Sequence, residues 1–170
     1  MAELTQKERL QPSLLDRLTD EHPDERQESR DKRVLSPARL RECVRRDLTW
    51  LLNTTSLTAT QDLDQFPDVP GSVLGYGMPD LAGYTAASID LRGLERLISR
   101  VIWDFEPRLI KRSVKVKVLT DDQRMNHNAM YFDIEAELWA QPLPLRLFLR
   151  TEIDLEDGTV KVSDAGSQGG

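Results

Sequence analysis

The chain has 170 residues, 39% of them hydrophobic and 31% charged, with a formal net charge of −6, which fits one domain with flanking tails and a core of its own. No run of about 18 apolar residues offers a membrane span, the N-terminus lacks the unbroken apolar stretch of a signal peptide, and the acidic balance argues against non-specific nucleic-acid binding, which draws on clustered lysine and arginine. Cys43 is the single cysteine, so no intrachain disulfide forms and a reducing, cytoplasmic location is expected.

The first predicted element lies in PSLLDRL, residues 12 to 18. Ser13 with Asp16 three positions on is a reduced capping box, and Leu14, Leu15 and Leu18 share one face of a short helix. From Thr19 to Arg33 no apolar residue occurs, the pattern of a solvated linker. The leucine face then docks on this domain or on another chain, because so short a helix is marginal until packed. Ser36-Pro37 starts the next helix, with the hydroxyl as cap and proline at the first helical position. Leu40, Val44, Leu48, Leu51 and Leu52 recur along it at helical spacing. Cys43, beside that stripe, reads as a small buried hydrophobe. Arginines gather at Arg39, Arg41, Arg45 and Arg46, which read as a solvated helix face, and basic residues again at Arg108, Lys111 and Arg112, with acids between or beside them.

Residues 53–88 form a long connection rich in turn chemistry, expected to be functional or well packed. Its Gly75-Tyr76-Gly77 has no strand leading in and no third glycine, which argues against a nucleotide-phosphate loop. A second long helix is predicted from about Ile89 to Glu106, with Asp90 as candidate cap and an apolar stripe through Leu91, Leu94, Leu97, Ile98, Val101, Ile102 and Phe105. Pro107 ends it, biasing Glu106 away from helical backbone, so that Glu106 and Arg108 stand on a stiff corner. There the period switches to two. Val114, Val116 and Val118 alternate with Lys115 and Lys117; AMYFDIEAELWA, LPLRLFLRTEIDL, an Asp157-Gly158 turn and TVKVSD follow. This predicts an α+β domain: a four-stranded antiparallel meander with helices on its apolar face. The expected organisation is a short docking helix and charged linker over 1–33, one domain over 34–164 and a flexible tail over 165–170.

Catalytic constellations are thin. Asp104 and Glu106, two apart near a helix end, point apart, whereas glycosidase carboxylates face each other across a sugar. His22 and His127 have no cysteine partner at metal spacing, and Asp121, Asp122, Asn126 and Asn128 lack the spacing of a calcium loop. Trp50, Trp103 and Trp139 are expected in the core rather than as ligand platforms. No catalytic residue, metal or cofactor is expected; the rival functions are a peptidoglycan-cleaving muramidase and a generic cytoplasmic adaptor.

PSLLDRLTD, the helix from Ser36 to Leu52, GYGMPDLAGYT and above all IWDFEPRL together resemble the TssE family. These are wedge components of the type VI secretion baseplate, akin to the wedge protein of contractile-tail phages and long labelled lysozyme-like. The resemblance runs from about residue 12 to 163, and the family's Glu-Pro-Arg triplet falls without substitution on Glu106, Pro107 and Arg108. It implies a fold like the handshake portion of the sheath protein and a place in the cytoplasm, at the inner-membrane-proximal end of the apparatus. The implied partners are TssF and TssG in the wedge, TssK in the same baseplate and the sheath proteins TssB and TssC, with no nucleic acid and no membrane insertion. Three partner-binding regions are then expected. Glu106, Pro107 and Arg108 find an opposite charge or backbone donor on TssF, TssG or a neighbouring element. Leu14, Leu15 and Leu18 dock across the linker. The last strand, near Val160 and Val162, offers an edge that accepts a strand from the first sheath ring.

Overall fold

Alternation of apolar and charged residues after Val114 closes into one sheet in the computed structural model, which describes residues 13–19, 36–82, 90–119, 129–140 and 143–165. Strands β1 (Lys115–Leu119), β2 (Ala129–Leu138), β3 (Leu145–Asp154) and β4 (Val160–Asp164) pair in chain order, every pair antiparallel. Side chains of successive strand residues point to opposite faces. Phe132, Ile134, Leu147, Leu149, Val160 and Val162 are therefore buried on one face, while Lys115, Lys117, Glu135, Arg146 and Lys161 are exposed on the other. On that outer face Arg150 and Asp133 are direct cross-strand partners, 3.1 Å apart. The turn between β3 and β4 places Gly158 at φ +75°, and its N–H donates to the Asp154 carbonyl at 2.9 Å.

Two helices cover the apolar face. In α2 (Pro37–Leu52) the Ser36 Oγ accepts the Arg39 N–H at 3.1 Å with proline in the first turn, as the sequence predicts, and Leu40, Val44, Leu48, Leu51 and Leu52 are buried. In α3 (Leu91–Phe105) Leu94, Ile98, Val101 and Ile102 are buried. Each such side chain contributes about 1.5–3 kcal/mol by leaving water. Asp90 occupies the cap position of α3, but its side chain makes no capping hydrogen bond and lies instead 3.7 Å from Arg96. The three tryptophans depart from expectation: Trp50, Trp103 and Trp139 are 48%, 39% and 54% exposed. Trp50 and Trp103 immediately precede or follow buried stripe residues, so the helical turn carries them off the core face. Trp139 lies just past β2, on the outward alternate.

A short helix α1 (Leu14–Leu18) precedes α2, capped by Ser13 Oγ accepting the Asp16 N–H at 3.3 Å. The linker segment 20–33, His22, the 121–128 loop with His127, residues 83–89 of the connection and the tail from 166 lie outside the described residues.

The described part of the connection folds onto itself. Met78 N–H donates to the Thr54 carbonyl at 2.9 Å, Ser56 N–H to the Met78 carbonyl at 3.0 Å, and the buried Ser56 hydroxyl to the Gly75 carbonyl at 2.9 Å. Gly77 has φ +118°, and a Cβ there would sit 2.2 Å from the Thr54 carbonyl oxygen. The glycines of Gly75-Tyr76-Gly77 thus allow close backbone packing. Gly77→Ala is expected to cost about 2–3 kcal/mol through strain and overlap, read as a lowered urea midpoint; an unchanged midpoint would contradict the packing described.

Candidate functional site

The corner after α3 is stitched down on both sides. Glu106, with φ −119° and ψ 81°, leaves the helix while its N–H still reaches the Ile102 carbonyl at 2.9 Å. Past Pro107, Ile110 N–H donates to the Glu137 carbonyl at 2.9 Å and Trp139 N–H to the Arg108 carbonyl at 2.8 Å, so residues 108–110 lie along the end of β2. Proline supplies the break, and the β2 hydrogen bonds fix the direction the chain takes from it.

Glu106 is only 4% exposed, although it is charged and stands at the negative end of a helix dipole. Arg108 offsets both costs. Glu106 Oε1 accepts the Arg108 backbone N–H at 3.1 Å and its Nε at 2.7 Å, while Oε2 accepts Nη2. That Nη2 also donates to Asp47 Oδ2 on α2 at 2.6 Å. Asp47 Oδ1 in turn accepts Arg46 Nε at 2.9 Å and Nη2 at 2.7 Å. Arg46 Nη1 donates to Asp16 Oδ1 on α1 at 2.6 Å, and the Ser13 hydroxyl to Asp16 Oδ2 at 2.6 Å. Five charges of alternating sign therefore run from the end of α3 across α2 to α1. Near the ladder, the Arg46 guanidinium lies 4.9 Å from the Trp50 ring centre, a cation–π contact, and Tyr76 packs edge-on to Phe105 at 5.4 Å.

Their partners favour the ionised forms of Arg108, Arg46 and Asp16. Burial pushes Arg108 down, but Glu106 and Asp47 outweigh it and raise its pKa. Arg46 is raised chiefly by its hydrogen bond to Asp16. Burial pushes the Asp16 carboxyl up, yet hydrogen bonds from Arg46, Ser13 and Cys43 hold it at about 2 against an ordinary 3.8. Burial, then the Asp47 and Glu106 carboxylates, raise the Tyr76 phenol. Because the folded pKa of Asp16 is depressed, its contribution is present above about pH 4 and is lost as pH falls toward 2. Asp16→Ala is expected to lower global stability by no more than about 1 kcal/mol, the scale of a partly exposed ion pair. It should nevertheless release α1, seen as faster amide exchange at residues 14–18; unchanged exchange would show that something else holds the helix.

With α1 tethered through Asp16, its leucines point away from the domain: Leu14, Leu15 and Leu18 are 69%, 47% and 74% exposed. Of the two docking sites open to that face on sequence grounds, this domain does not provide one among the described residues.

Arg108 bridges Glu106 to Asp47, so a guanidinium fills the space between the two carboxylates where a glycosidase would need its substrate. Two clefts, of about 190 and 420 Å³, are lined by Asn53 with Asp157–Val160 and by Arg112, Ser113 and Lys115 with Glu135–Glu137 respectively, and neither includes Glu106. No group of His, Cys, Asp and Glu among the described residues is placed to hold a metal ion. The arrangement is suited to holding elements together.

Val160 and Val162 lie apart from the ladder, on the edge strand β4. Their side chains are 3% and 7% exposed in the core, which turns their backbone groups outward from β3. The outward groups at Val160 are occupied: its N–H donates to Asn53 Oδ1 at 2.9 Å and its carbonyl accepts Asn53 Nδ2 at 2.7 Å. Arg45 reaches the Val162 carbonyl at 3.4 Å. On the opposite edge Val118 N–H donates to Glu95 Oε1 at 2.9 Å. Helix-borne side chains thus cap part of each sheet edge. Sequence reasoning did not find Asp47, Arg46, Asp16 or Asn53 as members of these sites, since partners 30 to 107 positions apart leave no local pattern.

Residues 38–143 match the family model described as baseplate wedge protein gp25. The match spans α2, the described connection, α3, the Glu106-Pro107-Arg108 corner, β1 and β2. No curated protein and no solved structure matches the chain.

Proposed function

The chain belongs to the baseplate wedge protein gp25 family, and from that premise we propose that it is the wedge subunit of a type VI secretion baseplate, working in the bacterial cytoplasm at the inner-membrane-proximal end of the machine. The family is one of structural wedge proteins, which fits assembly rather than catalysis. No helix among the described residues is long and apolar enough to cross a membrane. The partners proposed are TssF and TssG in the wedge, with TssK in the same baseplate and the TssB and TssC sheath above.

One observation carries the reading: an ion ladder running from the buried Glu106 to the partly exposed Asp16 fixes α1 while leaving its leucines in water. Burying Glu106 costs desolvation, and the ladder that offsets it supports a helix whose apolar face finds nothing to cover within the described chain. In the proposed wedge, Leu14, Leu15 and Leu18 contact TssF or TssG, while Glu106, Pro107 and Arg108 act inside the chain, fixing the corner after α3 to α2. Co-expression of the tagged chain with TssF and TssG tests this. A stoichiometric complex is expected; a chain that elutes alone would leave it in the wedge family and remove the type VI assignment.

The β4 edge is proposed as the start of the sheath. Asn53 holds Val160, so an incoming strand begins at Val162, whose N–H no described residue accepts. Val162→Pro removes that donor and should block sheath polymerisation while the wedge still assembles. Normal sheath length from a Val162→Pro wedge would place the contact elsewhere.

A further inference from the structure

Between Asn53 and Leu91 the sequence carries five aspartates and no lysine, arginine or histidine. Within that stretch the loop from Asp62 to Leu74 exposes three large apolar side chains: Phe66 at 58%, Val73 at 87% and Leu74 at 63%. Asp62, Asp64 and Asp68 on the same loop are exposed as well.

The loop is not a slack one. Four successive turns hold it, with Phe66 N–H donating to the Leu63 carbonyl at 2.8 Å, Val69 to Phe66 at 3.0 Å, Ser72 to Val69 at 3.0 Å and Gly75 to Ser72 at 2.9 Å. Side chains add to this: Asp62 Oδ1 accepts the Asp64 N–H at 3.0 Å and Ser72 Oγ the Leu74 N–H at 3.2 Å. At its base a Cβ on Gly75 would meet the Pro70 carbonyl oxygen at 2.2 Å, so the loop closes tightly on itself. Large apolar groups presented on an ordered loop lose little conformational freedom when they dock. A contiguous run of one charge sign selects against a like-charged partner and steers an opposite one.

We infer that the loop from Asp62 to Leu74 is a docking surface for a partner subunit that offers an apolar pocket bordered by lysine or arginine. This rests on the wedge reading and adds to it a second contact, separate from the α1 leucines. The aspartates set the partner's charge and accelerate encounter; Phe66, Val73 and Leu74 supply the area that leaves water.

The test titrates the full chain into purified TssF–TssG complex at low and at high salt. Three forms are compared: unmodified, Phe66→Ser with Val73→Ser and Leu74→Ser, and Asp64→Lys with Asp68→Lys. All the changed residues are exposed, so melting temperatures should agree and certify folding. The expected result is affinity at least about tenfold weaker for the serine form, and for the lysine form a loss greatest at low salt, where charge is least screened. Serine and lysine forms that bind as the unmodified chain does would overturn the inference and leave the wedge reading intact. An unmodified chain that fails to bind would overturn both. Self-association of the unmodified chain, abolished by the serine changes, would make the occupant a second copy and refute the inference as stated.

Discussion

Replacing Arg108 with alanine is expected to destabilise the fold by about 3–5 kcal/mol, the cost of leaving a buried charge without its partner. Glu106 is 4% exposed, and its carboxylate receives three hydrogen bonds from Arg108, two from the guanidinium and one from the backbone. Alanine keeps the backbone donor alone. The stranded carboxylate then faces the α3 carbonyl ends, where negative charge is disfavoured, and Asp47 loses its link to the corner. Removing both charges together, as Glu106→Gln with Arg108→Met, should cost well under the sum of Glu106→Gln and Arg108→Met made singly, because the two residues act as one unit. Urea unfolding of the four forms gives the coupling directly. A loss below about 1 kcal/mol for Arg108→Ala would class the pair with exposed ion pairs and refute its structural role.

Replacing Leu14, Leu15 and Leu18 together with serine is expected to act in the opposite way, sparing stability and abolishing partner capture. All three are exposed in the free chain, so folding gains little from them and the urea midpoint should stay within about 0.5 kcal/mol of the unmodified value. In a complex that covers them, each leucine contributes about 1.5–3 kcal/mol of burial. Losing three should weaken TssF–TssG binding by at least about a hundredfold. Capture at unmodified strength would show that the leucine face is not the contact.

The periodic parts of this fold were legible in the sequence, and the reasons are local. Ser36-Pro37 announces α2 because hydroxyl and ring each satisfy a helix N-terminus within a few residues. The alternation from Lys115 to Asp164 announces the meander because a sheet covered on one face needs a period of two. The Glu106-Pro107-Arg108 corner was also visible, as a break in one period and the start of another. What Glu106 gains there was not visible. Its answer lies in Arg108 reaching Asp47, 61 positions away, and in Arg46 reaching Asp16, 30 positions away. Neither pair has a sequence period, and the dipeptide Arg46-Asp47 looks like any wet stretch of helix. The same holds for Asn53, which ends α2 and mimics a neighbouring strand at Val160. Trp50, Trp103 and Trp139 were misplaced because residue type was weighed above position: one step around a helix or along a strand turned each outward.

Side-by-side affinities for TssF–TssG of the leucine-to-serine form and the Glu106→Gln, Arg108→Met form, at a temperature where both are folded, test the central claim most directly. The corner is held to act inside the chain and the leucines between chains, so the first form should lose at least about a hundredfold and the second less than about tenfold. The reverse order, with the corner essential to binding and the leucines dispensable, would contradict the account.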